Sequence, residues 1–505
     1  MKRIVSFFLA LCCVLSLAAC AAESGKDPAD TTASALAEDT SAVADTSAAE
    51  TEPAVPEVRP NIPDTNWEGK AFRVLGDGGT SYVQFANFEI LSEETNGETL
   101  NDAIWTRNNT LSERYNVTFE QTLDESEHHT YAMVSNAVSS GEDRWDLVFI
   151  EYQHVGSSTQ AGHLLDMKKV QYIDFTQPYW NQNVTESTSI GDKVYFAASD
   201  YSLRDKNRVY IMVYNTDLAE ANKLPDVVSI IRDNKWTLDK MGEFSEVISS
   251  DLDGDGKQTD QDRWGIVMDS YNSFNAFWTG ADNACYLRES DGTFVSAYDN
   301  QHSVDTIDKL ISIICNTNQA GFCDDFQGKV SYDYWGFSTE TFYDDRALIL
   351  TCFPHSLEKL SQYSDANYTV IPFPKFDESQ QEYITMPDPM SQLFAIPVTT
   401  NTPEFTGFML EALSCESTNT SLKAYYDVCC KTKFAANPVS AEMLDVIFDG
   451  IRYDIDKVYG LGFYGIINSI AKSKANNTAN AFAKMKKAEE SKLNKLYDTI
   501  GKLDH

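Results

Sequence analysis

The chain reads first as short apolar runs alternating with amphipathic stretches. "KAFRVLG" (residues 70–76) is an apolar run that ends in glycine and predicts a strand, and "GETLNDAIWTRNNTLSERYNVTFE" follows as a helix feeding a second strand. Ile104, Leu111 and Tyr115 recur at helical spacing, whereas Val117 and Phe119 alternate. "TYAMVSNAVSSG" predicts a further helix, and "WDLVFIE" is continuously apolar, as in a strand buried on both faces. Later strands are expected in "NRVYIMVYNTDLAEA", "DDRALILTCFP", "NYTVIPFPKF" and the start of "SQLFAIPVTTNTPEFTGFMLEALS", which continues through a proline turn into a helix. "KWTLDKMGEFSEVIS" predicts a helix with Thr237 as its N-cap. From Ala471 the pattern predicts one helix to the end, with Ala475, Ala479, Phe482, Met485, Leu493, Leu496 and Ile500 on one side and a lysine-rich solvated face opposite.

This alternation predicts an α/β class with a largely parallel sheet. Ligands of such sheets sit beyond the carboxyl ends of the strands, which points at Gly76-Asp77-Gly78-Gly79 and at Glu151-Tyr152-Gln153. The length beyond residue 65 exceeds what one core usually serves, so two lobes are expected.

The N-terminus changes the setting. Lys2 and Arg3 precede an apolar run from Ile4 to Leu17, too short to cross a hydrocarbon core of about 30 Å, so residues 1–19 predict a signal peptide. Leu17-Ala18-Ala19-Cys20 resembles the lipobox of bacterial lipoproteins, which implies lipidation of Cys20; the alternative is a secretory signal cut after Ala19 or Ala22. Residues 20–65, rich in Ala, Ser, Thr, Asp, Glu and Pro and without aromatics, predict a disordered acidic tether. A formal charge of −36 with no basic stripe argues against nucleic acid as a partner. Beyond the signal and Cys20, seven cysteines (285, 315, 323, 352, 415, 429 and 430) are odd in number and irregular in spacing, which is no disulfide framework. Vicinal Cys429-Cys430 reads as two small buried apolar residues rather than a metal or redox site.

"DLDGDGKQTDQD" (residues 251–262) has the spacing of a calcium loop. Asp251, Asp253 and Asp255 occupy positions 1, 3 and 5, Gly256 the sharp turn at 6, Lys257 a carbonyl position at 7 and Asp262 position 12. Oxygen donors without His or Cys select a hard cation, so structural Ca²⁺ of modest affinity, on the order of 10⁻⁴ to 10⁻³ M, is expected. Asp262 is shorter than the usual bidentate Glu, Asp260 at position 10 competes with it, and "DRWGIVM" predicts a strand where an EF-hand has a helix. The alternative is a metal-free Asp/Gly turn held by side-chain to backbone hydrogen bonds. A general acid needs a raised pKa, which hydrated carboxylates around a cation oppose, so no catalytic role is assigned to the loop.

The lipobox, acidic tether, "WDLVFIEYQHVGSSTQAGHLLDMKKV", "VYIMVYNTDL", "KWTLDKM", the Asp/Gly loop ending "DRWGI", "DDRALIL" and "VIPFPKF" occur in an order that resembles the extracellular solute-binding proteins of bacterial ABC transporters, in the carbohydrate-binding branch that includes maltose-binding protein. The resemblance spans about residues 66–470. It implies a two-lobed periplasmic-binding-protein-like fold of type II with a ligand cleft between the lobes; the long C-terminal helix exceeds that pattern. Lobe 1 is implied at 66–203 plus 341–394, and lobe 2 at 204–340 plus 395–505. It also implies a monomeric, lipid-anchored protein on the extracellular face of the cell membrane that closes on a carbohydrate, an oligosaccharide, and delivers it to the permease subunits of an importer, with no enzymatic activity. The alternatives are a surface glycan hydrolase, for which the chain lacks G-x-S-x-G and H-E-x-x-H, and a tethered sensory or adhesive binding protein.

Sugar binding asks for flat apolar faces and a few fixed polar groups. The expected ligand-binding residues are the aromatics Tyr152, Trp180, Trp278 and Trp335, and the carboxylates Asp77, Glu151, Asp282 and Asp388.

Overall fold

The computed structural model describes residues 59–78, 89–126, 128–315, 318–329, 335–357, 360, 367–425, 438–475 and 477–504. The signal peptide, Cys20, nearly all of the tether, Gly79 and Cys429-Cys430 lie outside the described residues.

The strands are β1 (Lys70–Asp77), β2 (Val117–Asp124), β3 (Leu147–Glu151), β4 (Ile211–Asn215), β5 (Trp264–Met268), β6 (Tyr286–Arg288), β7 (Phe294–Ser296), β8 (Ala320–Phe322), β9 (Ala347–Cys352), β10 (Tyr368–Ile371) and β11 (Gln392–Ala395). They form a sheet in the order β11-β3-β1-β2, a second in the order β10-β4-β9-β5-β8, and the β6-β7 hairpin. β3, β4, β9, β10 and β11 are buried at every position, which is why their sequences are apolar runs rather than alternations.

Each of the two larger sheets is mixed rather than nearly all parallel. β1, β2 and β3 run together and β11 runs against β3. In the second sheet β8, β5 and β9 run together, and β4 lies antiparallel between β9 and β10. The reversed strands, β4 and β11, are the ones by which the chain enters a sheet after leaving the other. Such an arrival is freed from the right-handed crossover that makes consecutive strands parallel.

This pairing corrects the expected lobe boundaries. β9 and β10, within the 341–394 segment expected in lobe 1, belong to the second sheet. Helix Pro403–Asn419, expected in lobe 2, buries Phe405, Phe408, Met409 and Leu413 with Phe72, Val74 and Phe149 of the first sheet.

The expected continuous helix from Ala471 is also corrected. Helix Phe463–Ser473 stops at Lys474, whose φ of 50° is left-handed, and a new helix runs Thr478–Gly501. Its Phe482, Met485, Leu493, Leu496 and Ile500 are buried as the spacing predicts, whereas Ala475, in the break, and Ala479 are exposed. Phe482 packs on Tyr298 and Phe463, and Lys193 Nζ donates to the Ile500 carbonyl at 3.0 Å, capping the helix end. Among the described residues no helix is long and apolar enough to cross a membrane.

Candidate functional site

Two groups of side chains gather beside the carboxyl edge of the first sheet. Parallel pairing sets Asp77 beside Asp124 at the ends of β1 and β2, and antiparallel pairing sets Gln392 opposite Glu151, the last residue of β3. Helix Tyr152–Gln160 starts immediately after Glu151.

His128 joins the two expected carboxylates. It follows β2 with a left-handed φ of 62°, and its Nδ1 lies 3.4 Å from both Asp77 Oδ2 and Glu151 Oε1. His154, one helical turn beyond Glu151, reaches Glu151 Oε2 at 3.4 Å. Gln392 Nε2 donates to Asp77 Oδ2 at 3.1 Å, and the Gln392 amide is oriented by Arg204 Nη1, which donates to its Oε1 at 2.6 Å. Asp77 and Glu151 are 5% and 0% exposed, so their carboxylates serve this cluster rather than an open surface. The Asp77 and Glu151 carboxylates push the His128 imidazole up to about 9 against its burial. Burial raises Glu151, but His128 and His154 outweigh it and hold the carboxyl below its ordinary value. Sequence reading found both carboxylates but missed His128, which is separated from each along the chain and brought in only by the β3-β1-β2 order of the sheet.

The second group lines a small cleft. Tyr152 comes from the first sheet's edge, Asn272 and Asn275 from the helix after β5, Met386, Pro387 and Pro389 from the segment leading into β11, and Lys457 and Tyr464 from the C-terminal helices. Tyr152 is held by its hydroxyl, which donates to the Asp454 carbonyl at 2.6 Å and accepts from the Asp454 amide at 2.8 Å. Asn468 positions both asparagines: its Nδ2 donates to Asn272 Oδ1 at 2.6 Å, and its Oδ1 accepts from Asn275 Nδ2. Asn275 Oδ1 is buried and accepts no hydrogen bond, leaving an acceptor free beside the cleft. Lys457 forms no ion pair or hydrogen bond among the described residues. Burial lowers its pKa, partly countered by Asp388 and Asp456. Asp388 is itself engaged, 2.8 Å from Arg208 Nη2.

The other expected ligand residues fall elsewhere. Trp180 is 3% exposed, packs between Phe175 and Phe394, and donates from Nε1 to Glu411 Oε1 at 2.8 Å. Trp278 is fully buried against Phe463. Both are core residues: Phe175, Phe394 and Glu411 cover Trp180, and Phe463 covers Trp278. Asp282 is a surface residue paired with Arg452 at 2.7 Å, and Trp335 is 41% exposed at the start of helix Gly336–Tyr343. Asn272 and Asn275 carried a signal, two amides one turn apart on the first helix after a buried strand, that the nearby tryptophan obscured.

In the 251–262 loop, Asp251, Asp253 and Asp255 are exposed with carboxylate oxygens within 4.8 Å of one another. Asp251 accepts from the amides of Gly254 and Gly256, each at 2.7 Å, and Asp253 and Asp255 each accept from the amide two residues on. Asp262 turns the other way. It is fully buried and accepts from Leu252 N, Thr259 N and Thr259 Oγ1, so it clasps the loop ends, while Asp260 Oδ2 accepts from Gln261. Neither Asp260 nor Asp262 joins the carboxylate cluster. Lys257 is exposed beside Asp255.

No protein-family model matches this chain, and no curated protein matches it in sequence. Solved structures match it in fold. A cyclo/maltodextrin-binding protein complexed with maltotetraose aligns at a TM-score of 0.53 and 13% identity, over 86% of this chain and 97% of that one. UgpB from Mycobacterium tuberculosis, in complex with glycerophosphocholine, aligns at 0.54 and 12%, over 84% and 98%. A sugar transporter from Rhizobium etli in an open conformation aligns at 0.52 and 12%, over 86% and 99%. The agreement extends over nearly the whole of each of those chains, and with the two mixed sheets it identifies the architecture: this chain has the two-lobed α/β fold of the periplasmic solute-binding proteins.

Proposed function

We propose that this protein is a lipid-anchored extracellular substrate-binding protein that captures a carbohydrate, an oligosaccharide, by hinge closure and delivers it to an ABC importer permease without altering it. The observation that carries the reading is the cleft itself, which Tyr152, Tyr464, Asn275 and Lys457 line together, Asn275 with an Oδ1 that accepts no hydrogen bond. Rings and fixed polar groups in one concave site are what a polyhydroxylated ligand needs. The maltodextrin-binding and sugar-transporter structures of the same fold support a sugar. In this reading an oligosaccharide enters when the lobes part. Attachment through Cys20 and Ca²⁺ held by Asp251, Asp253 and Asp255 complete the proposal.

Lys457 favours one further reading, an anionic polar ligand such as a glycerophosphodiester, since it lines the cleft and forms no ion pair among the described residues. Thermal-shift screening of the protein against neutral oligosaccharides and glycerophosphodiesters separates the two. A melting rise with oligosaccharides alone supports the sugar, a rise with phosphodiesters alone supports the second reading, and cleavage of any glycan overturns the non-enzymatic assignment.

A further inference from the structure

We infer that Asp77, His128 and Glu151 form a binding site for a zinc-class divalent cation at the carboxyl edge of the first sheet, separate from the Asp/Gly loop. The geometry points to a metal rather than to an imidazolium shared by two carboxylates. A charge-assisted N–H···O bond closes to about 2.7–2.9 Å. Here Nδ1 stands 3.4 Å from one oxygen of each carboxylate, and Glu151 Oε1, on a fully buried residue, accepts no hydrogen bond. Donors about 2.0–2.1 Å from a tetrahedral zinc ion are separated by about 3.3–3.4 Å along the edges of the tetrahedron. The three donor atoms also lie within 4.8 Å of one another.

The surrounding bonds are those of a prepared ligand set. Asp77 Oδ2 accepts from Gln392 Nε2 and from the His128 amide, and Arg204 leaves Gln392 only its amino group to offer. His154 Nδ1 stands against the other Glu151 oxygen, either orienting that carboxylate or supplying a fourth donor. His128 has a left-handed φ of 62°, and its ring lies against Asp77 and Glu151 at the ends of β1 and β3. One imidazole with two carboxylates selects a borderline cation, whereas calcium takes 6–8 oxygen ligands, so the two sites differ in the ion they hold.

The test is calorimetric titration of zinc chloride into the chelator-treated full-length protein, with X-ray absorption at the zinc edge. We expect one equivalent bound with a nitrogen and oxygen shell at about 2.0 Å containing an imidazole. His128→Ala and Glu151→Gln should each weaken binding at least tenfold, and Asp251→Asn should leave it unchanged. Absence of zinc binding, a wild-type spectrum without imidazole, full retention in His128→Ala, or loss in Asp251→Asn overturns the site. The wild-type spectrum decides the matter even where a variant fails to fold.

Discussion

The hydroxyl of Tyr152 donates to the carbonyl of Asp454 and accepts from its amide, so one side chain satisfies both polar groups of a backbone residue 302 positions away. Tyr152 leads out of the first sheet, and Asp454 precedes the short helix that carries Lys457. Tyr152→Phe should strip both buried backbone groups of their partner, at about 1–3 kcal/mol for each group left unsatisfied. Urea denaturation should show the loss even without ligand; unchanged stability would mean that the bond is replaced by water.

Asn275→Ala removes the free acceptor and should weaken ligand binding about tenfold, the worth of one hydrogen bond. It also removes the Nδ2 donor to Asn468, so the melting temperature of the free protein should fall as well, and affinity is compared at a temperature where the variant is folded. Lys457→Met separates the ligand classes. Calorimetry should show a small effect on a neutral sugar and a large loss for an anionic ligand.

The tryptophans should divide. Trp180→Ala opens a cavity in the first core and leaves buried Glu411 without its indole donor, at a cost of about 3–5 kcal/mol. Trp335→Ala, at an exposed ring that does not line the cleft, should leave both the unfolding midpoint and sugar affinity nearly unchanged; a loss of affinity would extend the binding site to that ring.

Calcium should raise the melting temperature, and Asp251→Asn should abolish the rise. Chelation should lower stability more than ligand affinity, since Asp262 clasps the loop and Trp264 Nε1, donating to the Thr259 carbonyl, ties it to the start of β5 rather than to the cleft. A fall in affinity larger than the fall in stability would place the ion at the ligand.

Burial pushes Asp269 up to about 6, with Asp388 adding to it and the Ser273 and Thr351 hydroxyls opposing. A raised carboxyl pKa means that the folded state binds more protons than the unfolded one between about pH 4 and 6, so stability falls as pH rises through that window. The cost of the charged form is then complete above it, on the order of 3 kcal/mol. Asp269→Asn should gain on the wild type from pH 4 to pH 8 in paired urea titrations; parallel curves would place the titration elsewhere.

Local patterns were legible without the fold because their causes are local. The strands read as apolar runs because both faces are covered, Thr237 caps its helix by accepting from the Lys240 amide at 3.3 Å, and the Asp/Gly loop closes on its own amides within a few residues. Which sheet a strand joins was not legible. β9 is as apolar as β3 and would suit either sheet, and its place between β4 and β5 is settled by partners that lie dozens of residues away or more. The same holds for the sites. Trp180 is core because Glu411 and Phe394 come to cover it, and His128 is part of a site because parallel pairing carries Asp77 and Glu151 to one edge. Residue type and spacing set which short-range bonds a segment makes. Contacts between distant segments depend on which surfaces bury the most area together, and that is decided only when the whole chain packs.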